Sequence, residues 1–255
     1  MRRAARFAGP AVLAAVLLGA WEAYARLGSV DNFLLPAPTE VASALWRDRS
    51  LLWDDFAVTA GEVLLGIGVA LVAGLACAVA LHFSPLLRRT AYPLLVASQT
   101  IPIVIVAPLL VVWLGYDLAP KLAIVGLICF FPITVTALDG LRSVDPDLRK
   151  LMRTLDASRW QAFRRVEAPA ALPALLSGAK IAVAIAVIGA VLAEQAGSSR
   201  GLGHLILQAI PQFETARAYA AVVVLSALAV SLFGALALLE RRLVPWANRT
   251  QGESA

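Results

Sequence analysis

Apolar residues run along this chain in long blocks separated by short polar stretches. A block of about eighteen or more apolar residues predicts a helix that crosses a bilayer. Six such blocks occur, at about residues 7–25, 56–83, 93–115, 122–139, 174–195 and 218–240. The longest polar interruption is residues 141–173, LRSVDPDLRKLMRTLDASRWQAFRRVEAPAALP. No long linker or low-complexity tract divides the chain, so 1–255 is expected to be one all-α membrane domain.

Details within the blocks refine this. Met1 to Ala25 has a basic start, and Ala23-Tyr24-Ala25 resembles a signal-peptide cleavage site. The apolar run is long for a signal and further spans follow, so a retained first helix is expected. Residues 26–55 are mixed, with Pro36 and Pro38, and Thr39 is a candidate cap for a short helix through Trp46. In the second block Gly66, Ala70, Gly74 and Ala78 recur every four residues, a stripe that lets a neighbouring helix approach closely. Ser84 to Ala91 reads as a short turn. The third block contains Ser98-Gln99-Thr100 with Pro102 and Pro108. Proline breaks the helical bond ladder, and in lipid the freed carbonyls need partners, so a broken span is expected there. Pro132 is expected to kink the fourth span. Glu194, in Glu194-Gln195-Ala196-Gly197, ends the fifth block and either lines a path or reaches water.

Charge sets the topology. With both termini inside, the inner segments hold Arg2, Arg3, Arg6, Arg88, Arg89, seven bases in 141–173, Arg241, Arg242 and Arg249, which is fifteen. The outer segments hold Arg26, Arg47, Arg49, Lys121, Arg200 and Arg217, which is six, and Lys180 lies within the fifth span. The outer stretch before the second span also carries Asp31, Glu40, Asp48, Asp54 and Asp55. Fifteen against six is a positive-inside bias that fits six spans and cytoplasmic termini. The 60% hydrophobic content, 15% charged content and net charge of +5 agree with a membrane protein. The arginines flank apolar runs instead of forming one basic face with aromatics, which argues against nucleic acid.

Candidate chemistry is sparse. Cys77 and Cys129 sit inside apolar runs without metal-ligand spacing, and read as small core residues. His82 and His204 are separated, so no metal site is expected. None of the three lysines, Lys121, Lys150 and Lys180, is preceded by Gly or followed by Ser or Thr, which excludes a phosphate-cradling loop of the usual kind. No Ser/His/Asp set and no paired mid-membrane carboxylates are evident, and no catalytic residue or cofactor is expected. An active transporter built this way needs energy from a partner. Residues 153–166 are expected to form an amphipathic helix or two short ones, with Leu155, Trp160, Phe163 and Val166 available for burial and Asp156-Ala157-Ser158 as a turn or cap. Pro169 and Pro173 are expected to stop that helix. Such a helix suits a groove on a cytoplasmic protein, and a basic loop lying on anionic lipid is the alternative.

At these residues the chain resembles a family. The loop is similar to the EAA loop of inner-membrane permease subunits of binding-protein-dependent ABC importers, a motif of EAA, three residues, Gly, nine residues and I-x-L-P. The spacing is kept here by Lys150-Leu151-Met152, then Asp156, then Val166-Glu167-Ala168-Pro169. Residues 157–166, Ala-Ala-Leu-Pro at 170–173, Ala193-Glu194 and the stretch through Ser199-Arg200-Gly201-Leu202-Gly203 also look like the family. Lys150, Leu151 and Met152 depart from Glu-Ala-Ala, and Asp156 replaces Gly in a turn that favours φ > 0, which Asp tolerates.

The resemblance implies the type I importer permease fold, with a cytoplasmic coupling helix between the fourth and fifth spans. It implies a bacterial inner-membrane location and a homodimer that works with a dimeric ABC ATPase and an extracytoplasmic binding protein. Asp156, Ala157, Ser158, Arg159, Trp160, Phe163, Arg164 and Val166 are the implied ATPase-coupling residues, and Gln99, Thr100, Pro102 and Glu194 are candidates for the translocation path. The chain is most similar to the nitrate/sulfonate/taurine branch. Gln99-Thr100-Ile101-Pro102, Phe130-Phe131-Pro132 and Asp139-Gly140-Leu141 are closest to permeases for thiamine-precursor pyrimidines or riboflavin. A stand-alone carrier or channel, and a structural membrane anchor, are the other classes open to the sequence.

Overall fold

The computed structural model describes residues 2–28 and 34–245. Asp31 and Arg249 lie outside them, as do the side chains of Arg2, Arg3 and Arg6. The described residues form helices α1 (Arg2–Leu27), α2 (Pro38–Arg47), α3 (Arg49–Phe83), α4 (Pro85–Ser98), α5 (Ile103–Leu114), α6 (Leu118–Arg142), α7 (Pro146–Thr154), α8 (Arg159–Ala162), α9 (Ala168–Gly197), α10 (Leu202–Ala209) and α11 (Thr215–Leu243). A π-helical turn, Phe163–Glu167, joins α8 to α9.

Four stretches are long and apolar enough to cross a membrane: α3, α6, the continuous run Arg159–Gly197, and α11. The pair α4 and α5 adds a fifth if counted as one span, bent by 97° at the break between them. The first expected block lies within α1, which is 26 residues long.

The chain divides into two compact units, residues 1–58 with 199–226 and residues 59–198 with 227–255. In the first, Pro38 starts α2 and Thr39 does not cap it. With Ala37 as the capping residue, Thr39 falls inside the first turn, where its side chain is not placed to cap. The Thr39 hydroxyl instead donates to Glu22 Oε1 at 2.9 Å, tying α1 to the start of α2. Trp21 and Tyr219 pack with ring centroids 5.9 Å apart. Gly201 has φ 114°, open to glycine, and its N–H donates to Asp55 Oδ1 at 3.0 Å.

In the second unit α6 packs along α9. Ala182, Ala186, Ala190 and Ala193 of α9 and Ile124, Val125, Cys129 and Ile133 of α6 are fully buried. Lipid tails are as apolar as these side chains, so the contact rests on close van der Waals packing by small residues. A methyl added at Gly178 would lie 1.8 Å from Thr136 Oγ1, so only glycine fits there. The small-residue stripe of α3 meets α6 as well: a Cβ on Gly66 or Gly74 would strike Val125 or Ile133. Cys129 is buried as the pattern expects, and Cys77 is half-buried.

Three expected boundaries shift. α3 begins at Arg49, ahead of the apolar block, because a helix in water needs no apolar run to continue. The expected turn at Ser84 to Ala91 is helical: Ser84 caps α4, accepting from Leu87 N at 3.2 Å, with Pro85 in its first turn. Pro169 and Pro173 do not stop the helix, which runs unbroken from Arg159 to Gly197. The wider π turn lies just before Pro169, where a regular turn would press the ring onto the Arg165 carbonyl.

Candidate functional site

Residues 141–173 fold into two short helices with a tight turn between them. Asp145 Oδ1 accepts from Asp147 N at 2.8 Å and starts α7. α7 ends at Thr154, and Asp156 follows with φ 53° in the left-handed region. This is the position where the family motif has Gly, and Asp occupies that conformation at low cost. Ser158 caps α8: its Oγ accepts from Gln161 N at 3.2 Å, and the Gln161 side chain accepts from Ser158 N at 2.9 Å.

The loop is fixed to the end of α3. Phe163 packs on Phe83 with centroids 5.2 Å apart, and Trp160 stacks on Phe163 at 5.3 Å. The Arg159 guanidinium sits over the Phe83 ring at 5.5 Å. Behind them Glu167 is buried and uses both oxygens: Oε2 lies 2.8 Å from His82 Nε2, and Oε1 lies 2.9 Å from Arg149 Nε. Arg149 also donates to the Leu141 carbonyl at 2.7 Å. His82, Glu167 and Arg149 carry this anchoring, and sequence reasoning passed over their role. The signal available was the lone acid, Glu167, between Arg165 and the apolar run that follows.

Of the expected coupling residues, Asp156, Ser158, Arg159, Trp160 and Arg164 are exposed, while Ala157, Phe163 and Val166 are half-buried. Trp160 is 58% exposed although its ring packs on Phe163. Together with Gln161, Arg164 and Arg165 it lines a shallow depression on α8 and the π turn. The arrangement is a short capped helix, braced on a span end, with an exposed aromatic and a basic rim.

The path candidates occupy different surroundings. Gln99, Thr100 and Pro102 lie exposed at the 97° break between α4 and α5. Thr100 donates twice to the Ala97 carbonyl, from its N–H at 3.1 Å and from Oγ1 at 2.8 Å. Glu194 is completely buried and accepts from Thr59 Oγ1 at 2.6 Å.

Beside it, at the ends of α6 and α9, lies a charged cluster that sequence reasoning did not single out. Lys121 Nζ donates to Glu62 Oε1 at 2.6 Å and to Ser198 Oγ at 2.7 Å. The second oxygen of the same carboxylate, Glu62 Oε2, is buried and has no hydrogen-bond partner among the described residues. Lys121 lies in the first turn of α6 and Glu194 in the last turn of α9. Each charge stands at the helix end whose dipole opposes it, so the partners must offset that cost. No sequence signal joins residues 62, 121 and 194.

Long apolar helices, a helix pair bent by 97° and an anchored polar loop define a multi-pass α-helical membrane protein with no catalytic constellation among its described residues. The family model for the binding-protein-dependent transport system inner membrane component matches residues 70–245, and the chain belongs to that family. It is an ABC importer permease of the sulfonate/taurine-type branch. It is 34% identical to the formylaminopyrimidine transport permease protein ThiX of Halalkalibacterium halodurans, over 98% of this chain and all of that one. It is 36% identical to the riboflavin transport system permease protein RibX of Chloroflexus aurantiacus, over 96% of this chain and 94% of that one. Identity to the taurine transport system permease protein TauC of Escherichia coli is 30%, over 93% and 89%. Among solved structures, an inward-facing MetNI methionine ABC transporter chain superposes with TM-score 0.66 at 21% identity, over 76% of this chain and 97% of that one. That likeness concerns the fold.

Proposed function

We propose that this chain is the membrane-spanning permease of an ATP-driven importer, crossing the inner membrane six times with both termini cytoplasmic. It works as a homodimer, forms the substrate path, and receives substrate from an extracytoplasmic binding protein. ATP hydrolysis belongs to a separate cytoplasmic ABC ATPase dimer. Residues Asp156 to Val166 dock that ATPase, with Trp160 entering its groove. The observation that carries this is α8 itself: a capped helix, rigidly mounted on the end of α3, presenting Trp160 58% exposed beside Arg164 and Arg165. A helix so mounted passes displacement directly into α9, since no break separates them. ATP binding then shifts the dimer between inward- and outward-open packings. Gln99, Thr100 and Pro102 at the broken span, with Glu194, are assigned to the path.

The favoured substrate is a pyrimidine thiamine precursor or a riboflavin-like molecule, supported by the relatives that carry those names over nearly the whole chain. A nitrate-, sulfonate- or taurine-type substrate is the second reading, supported by the taurine permease at 30% identity.

The test is co-purification from native membranes followed by uptake assays. An ATP-hydrolysing subunit at one per permease should accompany the wild-type chain and be lost when 156–165 is scrambled in a folded protein. Wild-type uptake by Trp160→Ala would remove the docking role. Uptake driven by an ion gradient and indifferent to ATP would establish a stand-alone carrier instead.

A further inference from the structure

A cleft of about 430 Å³ opens beside the 141–173 loop, lined by five arginines and one acid. The arginines are Arg88 of α4, Arg142 at the end of α6, Arg149 and Arg153 of α7, and Arg159 of α8. The acid is Glu167, and its two oxygens are already held by Arg149 and His82. Arg159 is partly engaged by the Phe83 ring and carbonyl. Among the described residues, Arg88, Arg142 and Arg153 take part in no ion pair.

Like charges gathered in a concave space raise a strong positive potential. A fold that tolerates this arrangement gains when an anion enters. Guanidinium forks match phosphate oxygens in bidentate geometry, so a phosphate group is the chemistry that fits. The cleft also lies where α3 and α6 end, at the level at which apolar spans give way to polar chain. Its walls include Phe83 and Met152, which suit a glycerol or acyl stem better than a free ion.

We infer that this cleft is a binding site for a phosphate-bearing anion, and that its occupant is the headgroup of an anionic phospholipid. The cleft shares Ala157 and Arg159 with the proposed ATPase-docking stretch, whereas Trp160, Arg164 and Arg165 line a different depression. It holds the loop at a fixed height against the membrane, and Arg142 and Arg153 close on the phosphate from α6 and α7.

The full-length chain, purified in mild detergent, is loaded with phosphatidylglycerol or phosphatidylcholine of equal acyl length, and retained lipid is counted by native mass spectrometry. Wild type should retain one phosphatidylglycerol per chain in preference to phosphatidylcholine. Arg142→Gln with Arg153→Gln should weaken that retention by about tenfold or more, as expected for two lost charge-assisted contacts. Arg241→Gln with Arg242→Gln, at the end of α11, should leave it unchanged. Unchanged melting temperatures show that the variants are folded. Equal retention of the two lipids, or equal retention by the Arg142/Arg153 variant, overturns the site. Displacement of the lipid by inorganic phosphate at comparable concentration overturns the lipid as its occupant and makes a soluble phosphate the ligand.

Discussion

Lys121 and Glu62, 59 residues apart in sequence, meet at 2.6 Å in a buried contact between α6 and α3. Glu194 of α9, bound to Thr59 of α3, completes a cluster that ties three helices together. Removing one partner of a buried pair leaves an uncompensated charge, which costs about 3–5 kcal/mol. Lys121→Met should therefore lower stability by that order. Glu62→Gln introduced in the same chain should restore most of it, because only Glu194 then remains to be neutralised. Thermal unfolding of the purified chain in detergent checks this, and a double variant no better than Lys121→Met would show that the pair is not coupled.

Asp156 has φ 53° in the turn between α7 and α8. Glycine accepts that conformation freely, and a β-branched residue resists it. Asp156→Gly should leave stability unchanged or slightly raised, whereas Asp156→Val should cost about 1–2 kcal/mol. Comparing the two melting temperatures decides it.

Trp160 and Phe163 stack on one another but differ in exposure, so their truncations should separate. Trp160→Ala should weaken ATPase association with little change in melting temperature. Phe163→Ala also removes the packing on Phe83, so it should lower both. Parallel pull-down and melting measurements read the difference.

Close packing between α6 and α9 gives a paired test on glycines. Gly178→Ala would place a methyl 1.8 Å from Thr136 Oγ1, 2.8 Å from Thr136 Cβ and 3.1 Å from the Pro132 carbonyl, and overpacking of this kind costs about 1–3 kcal/mol. At Gly68 nothing lies within 4 Å, so Gly68→Ala should be neutral or mildly stabilising. Similar losses for both would mean that α6–α9 contact does not limit stability.

Asp48, between α2 and α3, titrates outside the spans. Burial pushes its carboxyl up, but Arg47 and Arg217 outweigh that and hold it below the usual carboxylate range. Arg217 Nε lies 2.8 Å away. A depressed folded-state value means the contribution to stability is full above the ordinary carboxylate range and lost as pH falls through the depressed value. Asp48→Asn should be less stable at neutral pH and should show a smaller further loss on acidification. Melting temperatures at pH 7 and below pH 4 measure it.

The sequence by itself determined that this is a multi-pass α-helical membrane protein, since apolar run length is a local property that the bilayer reads directly. It also determined the break at Gln99 to Pro102, the capped turn at Asp156 to Ser158, and the motif spacing of the family, because backbone chemistry at proline, serine and aspartate acts over three or four residues. Only the tertiary structure decided the rest. The run of α8 through a π turn into α9 depends on how Pro169 is accommodated, which no propensity specifies. His82, Glu167 and Arg149 come from three separate segments, and so do Glu62, Lys121 and Glu194. Their charges are stable only because helix packing brings each to a partner after desolvation, and sequence spacing carries no record of contacts made across 59 or 85 residues.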